Sequence, residues 1–161
     1  MDEDCKKNLE KGKEYALYLL GYRDRSKNEI VKKLKEKNYD EEVIEEVICY
    51  LKEKNLLDDQ KFAKEWANYS IKKGFSRKRV EQELRKKGVE EEIITNTLNT
   101  IFSRIDEEKM ALEILERKGY LPLKVNLDKK EKLKQLSRIL RFLSSRGFSY
   151  STVEKLIKNY L

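Results

Sequence analysis

The residues of this chain that are best placed to do chemistry are lysines and arginines, which gather in two segments. Residues 72–87 carry eight of them against two glutamates and residues 129–146 carry seven against one, so each segment has a net charge of +6. Such side chains bind phosphate and carboxylate groups, which predicts an anionic partner, although a solvated basic surface is the alternative. The members are Lys72, Lys73, Arg77, Lys78, Arg79, Arg85, Lys86 and Lys87, then Lys129, Lys130, Lys132, Lys134, Arg138, Arg141 and Arg146.

Residues for catalysis or metal binding are scarce. The chain has no histidine, which removes imidazole bases, histidine-containing triads and most catalytic zinc sites. Its six glycines stand singly, so the sequence contains no glycine-rich phosphate loop. Cys5 and Cys49 lack metal-ligand spacing, and Cys49 is predicted to fill the core because it falls on an apolar helix face. We therefore predict a non-enzymatic protein with no catalytic residue, metal or cofactor.

Composition indicates a helical protein. Charged residues make up 42% of the 161 positions, and there are only six glycines and one proline, fewer turn residues than sheets demand. The first residues are acidic where a secretory signal would be basic, and the longest apolar run, Ala16 to Leu20, is too short to cross a bilayer. We expect a cytoplasmic protein with reduced thiols and no membrane contact.

A set of apolar and helix-ending residues recurs three times. The first copy contains Ser26, Ile30, Leu34, Asn38, Ile44, Ile48 and Leu51. The second, fifty residues later, contains Ser76, Val80, Leu84, Gly88, Ile94, Leu98 and Ile101. The third contains Ile139, Leu143, Gly147, Phe148, Val153 and Ile157. In each copy two apolar residues stand four apart, which places them on one face of a helix.

A further apolar stripe precedes each copy, so each repeat is predicted to hold three helices. The stripes are Ala16, Leu19 and Leu20, then Ala63, Trp66 and Ala67, then Ala111, Ile114 and Leu115. Phe62, Trp66 and Phe148 are predicted to lie in the core. The nine predicted helices span roughly 8–22, 26–37, 40–54, 58–73, 76–87, 90–104, 106–119, 128–146 and 149–161.

The predicted fold class is all-α, with three tandem helix-turn-helix-like repeats over residues 1–57, 58–105 and 106–161. The segment 120–127, which holds the only proline, is the one predicted linker. Because a unit near fifty residues buries little apolar surface alone, we expect the repeats to stack into one continuous, elongated and curved array.

The third helix of the first repeat, residues 40–54, has a net charge of −4, in contrast to the basic second helices. If the second helices line up along the array, they form a basic stripe that can contact phosphates. One alternative is a stand-alone DNA-binding protein of the helix-turn-helix type, for which an acidic third helix has the wrong sign. Another is a helical-repeat adaptor for an acidic protein.

Several short segments of the chain form an ordered set. They are Ala16 and Leu17, then Arg23, Arg25, Ser26 and Glu29, then Leu56, Leu57, Asp58 and Asp59, then Phe62, Ala63 and Trp66, then Glu83 and Leu84, then Lys87, Gly88 and Val89, and finally Arg146, Gly147, Phe148 and Ser149. In their order and spacing these segments resemble the RecX family, over about residues 9–161. Two positions depart from the family pattern. Asn38 replaces a common glycine but can take the same left-handed conformation, and Ser70 stands where relatives often carry arginine.

The resemblance implies a regulator that binds the RecA recombinase filament on DNA, in its helical groove, and blocks extension or strand pairing without a cofactor. The implied partners are the RecA filament and single- or double-stranded DNA, and we expect a monomer. The contact candidates that the resemblance implies are Arg23, Arg25, Arg77, Arg85, Lys86, Lys87 and Arg146. The basic segments add the candidates Lys72, Lys73, Lys78, Arg79, Lys134, Arg138 and Arg141.

Overall fold

The structure of the protein is a computed structural model, which describes residues 3–122 and 128–160. Over these residues it has nine α-helices and no strand, so the all-α prediction is confirmed. The helices are α1 (Glu3–Tyr22), α2 (Lys27–Glu36), α3 (Glu41–Glu53), α4 (Asp59–Lys72), α5 (Arg77–Lys86), α6 (Glu91–Phe102), α7 (Glu107–Arg117), α8 (Lys129–Ser145) and α9 (Tyr150–Tyr160). Only the start of α1 differs much from the prediction, since the helix begins at residue 3 and not at residue 8.

Local capping explains where several helices begin. Ser26 and Glu29 form a capping box at the start of α2, since the Ser26 hydroxyl accepts a hydrogen bond from Glu29 N and the Glu29 carboxylate accepts one from Ser26 N, both at 3.2 Å. The Asp128 carboxylate likewise accepts from Glu131 N at 2.7 Å at the start of α8. These polar residues satisfy N–H groups that have no partner within the helix.

Left-handed residues end the second helix of each repeat. Asn38 has a φ of 60°, Gly88 of 70° and Gly147 of 87°. The prediction that Asn38 adopts this conformation in place of glycine is confirmed. Asn55, at the end of α3, has a φ of 55°, and this left-handed position was not predicted.

The chain divides into two compact units. Unit 1 comprises Met1–Glu65 and Leu84–Thr97, and unit 2 comprises Trp66–Glu83 and Leu98–Leu161. The core of unit 1 lies among α1, α2 and α3, where Ala16, Ile30, Leu34, Val47 and Leu51 are almost fully buried. In unit 2, the most buried side chains include Val80, Ile114, Leu115, Ile139, Leu143, Val153 and Leu156. Except for Val47 and Leu156, these residues belong to the stripes that helical spacing predicted, and their burial supplies the main driving force for folding.

Two predictions about the core need correction. Cys49 is exposed, because the buried face of α3 runs through Val47, Ile48 and Leu51, and its thiol lies 3.6 Å from the Glu53 carboxylate. Trp66 is only half-buried, whereas Phe62 and Phe148 are buried as predicted. The side chain of Cys5 and part of the predicted linker, residues 123–127, lie outside the described residues. None of the described helices combines the length and the apolar character that a membrane span needs.

The same carboxylate contact occurs at the start of a second helix in each unit. In unit 1, the Asp59 carboxylate accepts a hydrogen bond from Lys27 N at 2.8 Å. In unit 2, the Glu107 carboxylate accepts one from Arg77 N at 2.7 Å. Each acid comes from the first turn of the next repeat's first helix. The Leu-Leu-Asp-Asp segment therefore caps two helices, because Asp58 caps α4 and Asp59 caps α2.

A second repeated contact joins the start of one repeat's second helix to the end of the next repeat's second helix. In unit 1, the Ser26 hydroxyl donates to the Lys87 carbonyl, and Gly88 lies directly against Asn28. In unit 2, Ser76 N donates to the Arg146 carbonyl at 3.0 Å, and Gly147 lies against Ser76 and Arg79. A Cβ atom on either glycine would lie within 2.6 Å of these neighbours. We call these two contacts the glycine joints.

Glu29 lies at the glycine joint of unit 1, where its carboxylate is held by Arg23 at 3.0 Å and by Lys87 at 3.3 Å. Burial alone would raise the pKa of Glu29, but the hydrogen bond from Arg23, the charge of Lys87 and the hydrogen bond from Ser26 N together lower it below its usual value. A carboxyl whose folded-state pKa is lowered stabilises the fold above its unfolded pKa, and this stabilisation is lost as the pH falls through the folded-state pKa.

We therefore predict that Glu29→Gln lowers the free energy of unfolding by about 1 kcal/mol at neutral pH. The difference between wild type and variant should shrink as the pH is lowered from about 6 to about 3, because wild-type Glu29 then becomes protonated too. Urea denaturation at a series of pH values measures this. Glu10→Gln, which removes an exposed pair with Lys13, is the control and should change stability little. A pH-independent difference would contradict the prediction.

Candidate anion-binding surface

The excess positive charge of the protein belongs to one of its two compact units. Unit 2 has 19 lysines and arginines against 10 aspartates and glutamates, a net charge of +9. Unit 1 has 18 against 20, a net charge of −2. The two values add up to the +7 of the whole chain. An anion would therefore be attracted to unit 2 and repelled by unit 1.

In unit 1, three of the predicted contact residues are already paired with carboxylates. Arg23 and Lys87 share Glu29. Arg85 holds Glu91 through two parallel hydrogen bonds, from Nε at 2.9 Å and from Nη2 at 2.6 Å. Their charge is locally balanced, and removing them from these partners to bind another anion would cost the existing interactions.

The other two predicted residues of unit 1 differ from each other. Arg25 is half-buried and donates from Nε to the Leu19 carbonyl at 3.2 Å, near the end of α1, where a helix favours cations. Lys86 is exposed at the end of α5 and makes no ion pair among the described residues. Unit 1 therefore leaves one of its five candidates unengaged.

In unit 2, the first ten residues of α8 are largely exposed and basic. Lys134, Arg138 and Arg141 are all exposed, and none makes an ion pair within the part of the chain that the structure describes. Arg141 Nε donates a hydrogen bond to the Ser137 carbonyl of the same helix, at 3.3 Å. This helix face presents charge that the described residues do not neutralise, as binding to a polyanion requires.

The predicted residues of α5 in unit 2 are more engaged. Arg77 donates from Nη2 to the Asn99 side chain at 2.6 Å. This hydrogen bond positions the Arg77 guanidinium without neutralising its charge. Arg79 pairs with Glu83 at 3.1 Å. Lys78 is exposed and makes no ion pair among the residues described.

Four of the predicted residues come together where α4 ends. Lys72 and Lys73 are exposed, and the Lys73 ammonium lies 4.3 Å from the centre of the Tyr69 ring. Arg146 reaches the same place from the end of α8 and donates from Nη1 to the Lys73 carbonyl. Its guanidinium lies 4.9 Å from the centre of the Phe75 ring, and that of Arg79 lies 5.5 Å from the same centre. Phe75 thus contacts two guanidinium groups.

Arg117 belongs to this group of cations, although the sequence did not single it out. It donates from Nη2 to the Lys72 carbonyl at 2.9 Å. The pKa of Arg146 is lowered first by burial and then by the positive charges of Arg117 and Arg79. The basic segments coincide with α5 and α8, the second helices of the second and third repeats. Arg117 is the last residue of α7, which is the first helix of its repeat. The sequence feature that could have identified it is the adjacent pair Arg117 and Lys118, which stands just before Gly119.

Exposed tyrosines lie in both units. Tyr69 is 49% exposed beside Lys73, and its ring centre lies 5.9 Å from that of Trp66. Tyr18 and Tyr22 of α1 form an exposed edge-to-face pair with ring centres 5.0 Å apart. An exposed ring beside a cation can stack on a base or on a partner's side chain. Tyr69 lies beside Lys73, one of the cations at the end of α4.

The exposed cations of unit 2 suit anions, and the cavity in the same unit is polar. No group of three or more cysteine, aspartate or glutamate side chains that could hold a metal occurs among the described residues. A cavity of about 460 Å³ in unit 2 is lined mainly by polar and charged residues, which include Lys118, Glu131, Lys134 and Arg138. Ligand pockets for small molecules are usually apolar with few polar groups.

Family models match two parts of the chain. The model described as the first three-helix domain of RecX matches residues 13–51, and the model for the second three-helix domain of RecX matches residues 58–98. A crystal structure of RecX from Lactobacillus salivarius has the same fold, with a TM-score of 0.69, 21% identity, and coverage of 95% of this chain and 96% of that one.

Curated relatives match across most of the chain. The regulatory protein RecX of Finegoldia magna is 32% identical over 90% of this chain and 69% of its own length. The regulatory protein RecX of Haemophilus influenzae strain PittEE is 33% identical over 89% of this chain and 90% of its own. The resemblance noted in the sequence is confirmed, and the chain belongs to the RecX family of regulatory proteins.

Proposed function

We propose that this protein regulates the RecA recombinase by binding the RecA filament on DNA, within its helical groove, and that it lowers strand exchange and ATP hydrolysis. Membership of the RecX family carries this proposal. Regulation would require binding alone, without a chemical step or cofactor of its own.

The charge distribution supports a division of labour between the two units. Unit 2, at +9, offers the exposed cations Lys134, Arg138 and Arg141 to the phosphates of filament DNA. Unit 1, at −2, has four of its five predicted contact residues engaged internally and is suited to contact protein. DNA contact is therefore proposed for the candidates of unit 2 ahead of Arg23, Arg25, Arg85, Lys86 and Lys87.

The test is a titration of this protein into the cognate RecA assembled on single-stranded DNA. ATP hydrolysis and strand exchange should both fall as the protein approaches stoichiometry with RecA. No change in either rate at stoichiometric amounts would refute the proposal. Tight, sequence-dependent binding to duplex DNA without RecA would instead favour the stand-alone DNA-binding alternative.

A further inference from the structure

The C-terminal, carbonyl end of α4 is surrounded by more positive charge than the partial negative charge of the helix can compensate. A helix C-terminus carries a partial negative charge of roughly half a unit. Around it lie five cationic side chains of unit 2, namely Lys72, Lys73, Arg79, Arg117 and Arg146. Glu83 is the one carboxylate that pairs with any of them among the described residues.

Glu83 already accepts three hydrogen bonds. Its carboxylate accepts hydrogen bonds from Arg79 Nε at 3.1 Å, from the Trp66 indole at 3.1 Å and from the buried hydroxyl of Ser70 at 3.3 Å. Within the described residues, neither Arg117 nor Arg146 forms an ion pair. These two guanidinium groups keep N–H donors that the described protein does not use.

The arginines are also held in place. Arg146 lies over the rings of Phe75 and Phe142, at 4.9 Å and 5.0 Å from their centres, and its Nη1 is fixed on the Lys73 carbonyl. Arg117 is fixed on the neighbouring Lys72 carbonyl. A guanidinium that is already oriented loses little conformational freedom when it binds, and its planar set of donors matches the oxygens of a phosphate.

We propose that Arg79, Arg117 and Arg146 form a binding site for a backbone phosphate of nucleic acid at the carbonyl end of α4. A nucleic acid fits better than an acidic peptide for two reasons. Lys72 and Lys73 extend the cationic surface beyond one anionic group, and Tyr69 offers a half-exposed ring beside Lys73 on which a base can stack. The inference rests on the proposed function in that this nucleic acid is the DNA of the filament.

The test is the affinity of the full chain for a fluorescently labelled single-stranded oligonucleotide, measured by anisotropy over a range of salt concentrations. Arg117→Gln should weaken binding by roughly 3- to 10-fold and lower the slope of log affinity against log salt by about 0.7, the value for one phosphate contact on a single strand. Arg104→Gln is the matched control, because it removes one exposed arginine from the same unit outside the cluster. It should change affinity less than about 2-fold.

A second variant separates guanidinium geometry from charge. Arg146→Lys keeps the charge and should still weaken binding several-fold, whereas an equal affinity would overturn the guanidinium site. Circular dichroism and a thermal midpoint check that each variant is folded. The site is refuted if Arg117→Gln and Arg104→Gln behave alike, or if polyglutamate displaces the oligonucleotide as well as unlabelled DNA does. Because the measurement contains no RecA, its outcome does not depend on whether the protein regulates RecA.

Discussion

Gly147→Ala should lower the free energy of unfolding by roughly 2–5 kcal/mol, because the new methyl group is unfavourable in two ways. The residue has a φ of 87°, and an alanine in this left-handed region costs about 1–2 kcal/mol. The added Cβ would also lie 2.6 Å from the Arg79 Cβ and 3.0 Å from Arg79 N, and overpacking of this kind costs about 1–3 kcal/mol more. Urea denaturation of the variant measures the total.

Gly119→Ala is the matched control, because Gly119 has a similar φ of 74° and no described atom outside its chain neighbours lies within 4 Å of the position that a Cβ would take. It should therefore show only the conformational cost of about 1–2 kcal/mol. Gly88→Ala should resemble Gly147→Ala, since its Cβ would lie 2.5 Å from that of Asn28. Equal losses for Gly119→Ala and Gly147→Ala would show that the glycine joint contributes nothing beyond backbone conformation.

A triple charge reversal on α8, Lys134→Glu with Arg138→Glu and Arg141→Glu, should weaken binding to single-stranded DNA by at least about 100-fold near 0.1 M salt. These side chains are exposed and unpaired among the described residues, so the change should leave the fold intact. If each contacts one phosphate, the slope of log affinity against log salt should fall by about 2. Fluorescence anisotropy at several salt concentrations measures both quantities.

The control for this variant makes the same change of charge in unit 1, with Lys11→Glu, Lys32→Glu and Lys64→Glu, all at exposed positions. It should weaken DNA binding by less than about 10-fold, because unit 1 already has a net charge of −2 and is not the surface proposed to bind DNA. Equal losses in the two triple variants would mean that net charge decides affinity and that no particular surface binds DNA.

Local rules predicted the fold well, because its helices are bounded by residues that act on their nearest neighbours. Ser26 with Glu29 caps α2, and Asn38 and Gly147 end helices in a left-handed conformation. The site was predicted less completely. Arg23, Arg85 and Lys87 are basic in sequence, yet each is paired with a carboxylate in the fold, and two of these pairs meet at Glu29. Pairings between residues 58 positions apart, such as Lys87 with Glu29, have no local signature.

The sequence by itself determined the helical class, the repeated helix boundaries and the family, because periodicity, capping residues and an ordered set of short segments are properties of neighbouring positions. Only the tertiary structure decided that Cys49 is exposed, that Asp59 and Glu107 cap helices of another repeat, and that Arg117 joins Arg146 at the end of α4. Burial and electrostatic pairing depend on which helix faces meet, and that is settled by packing between segments distant in sequence.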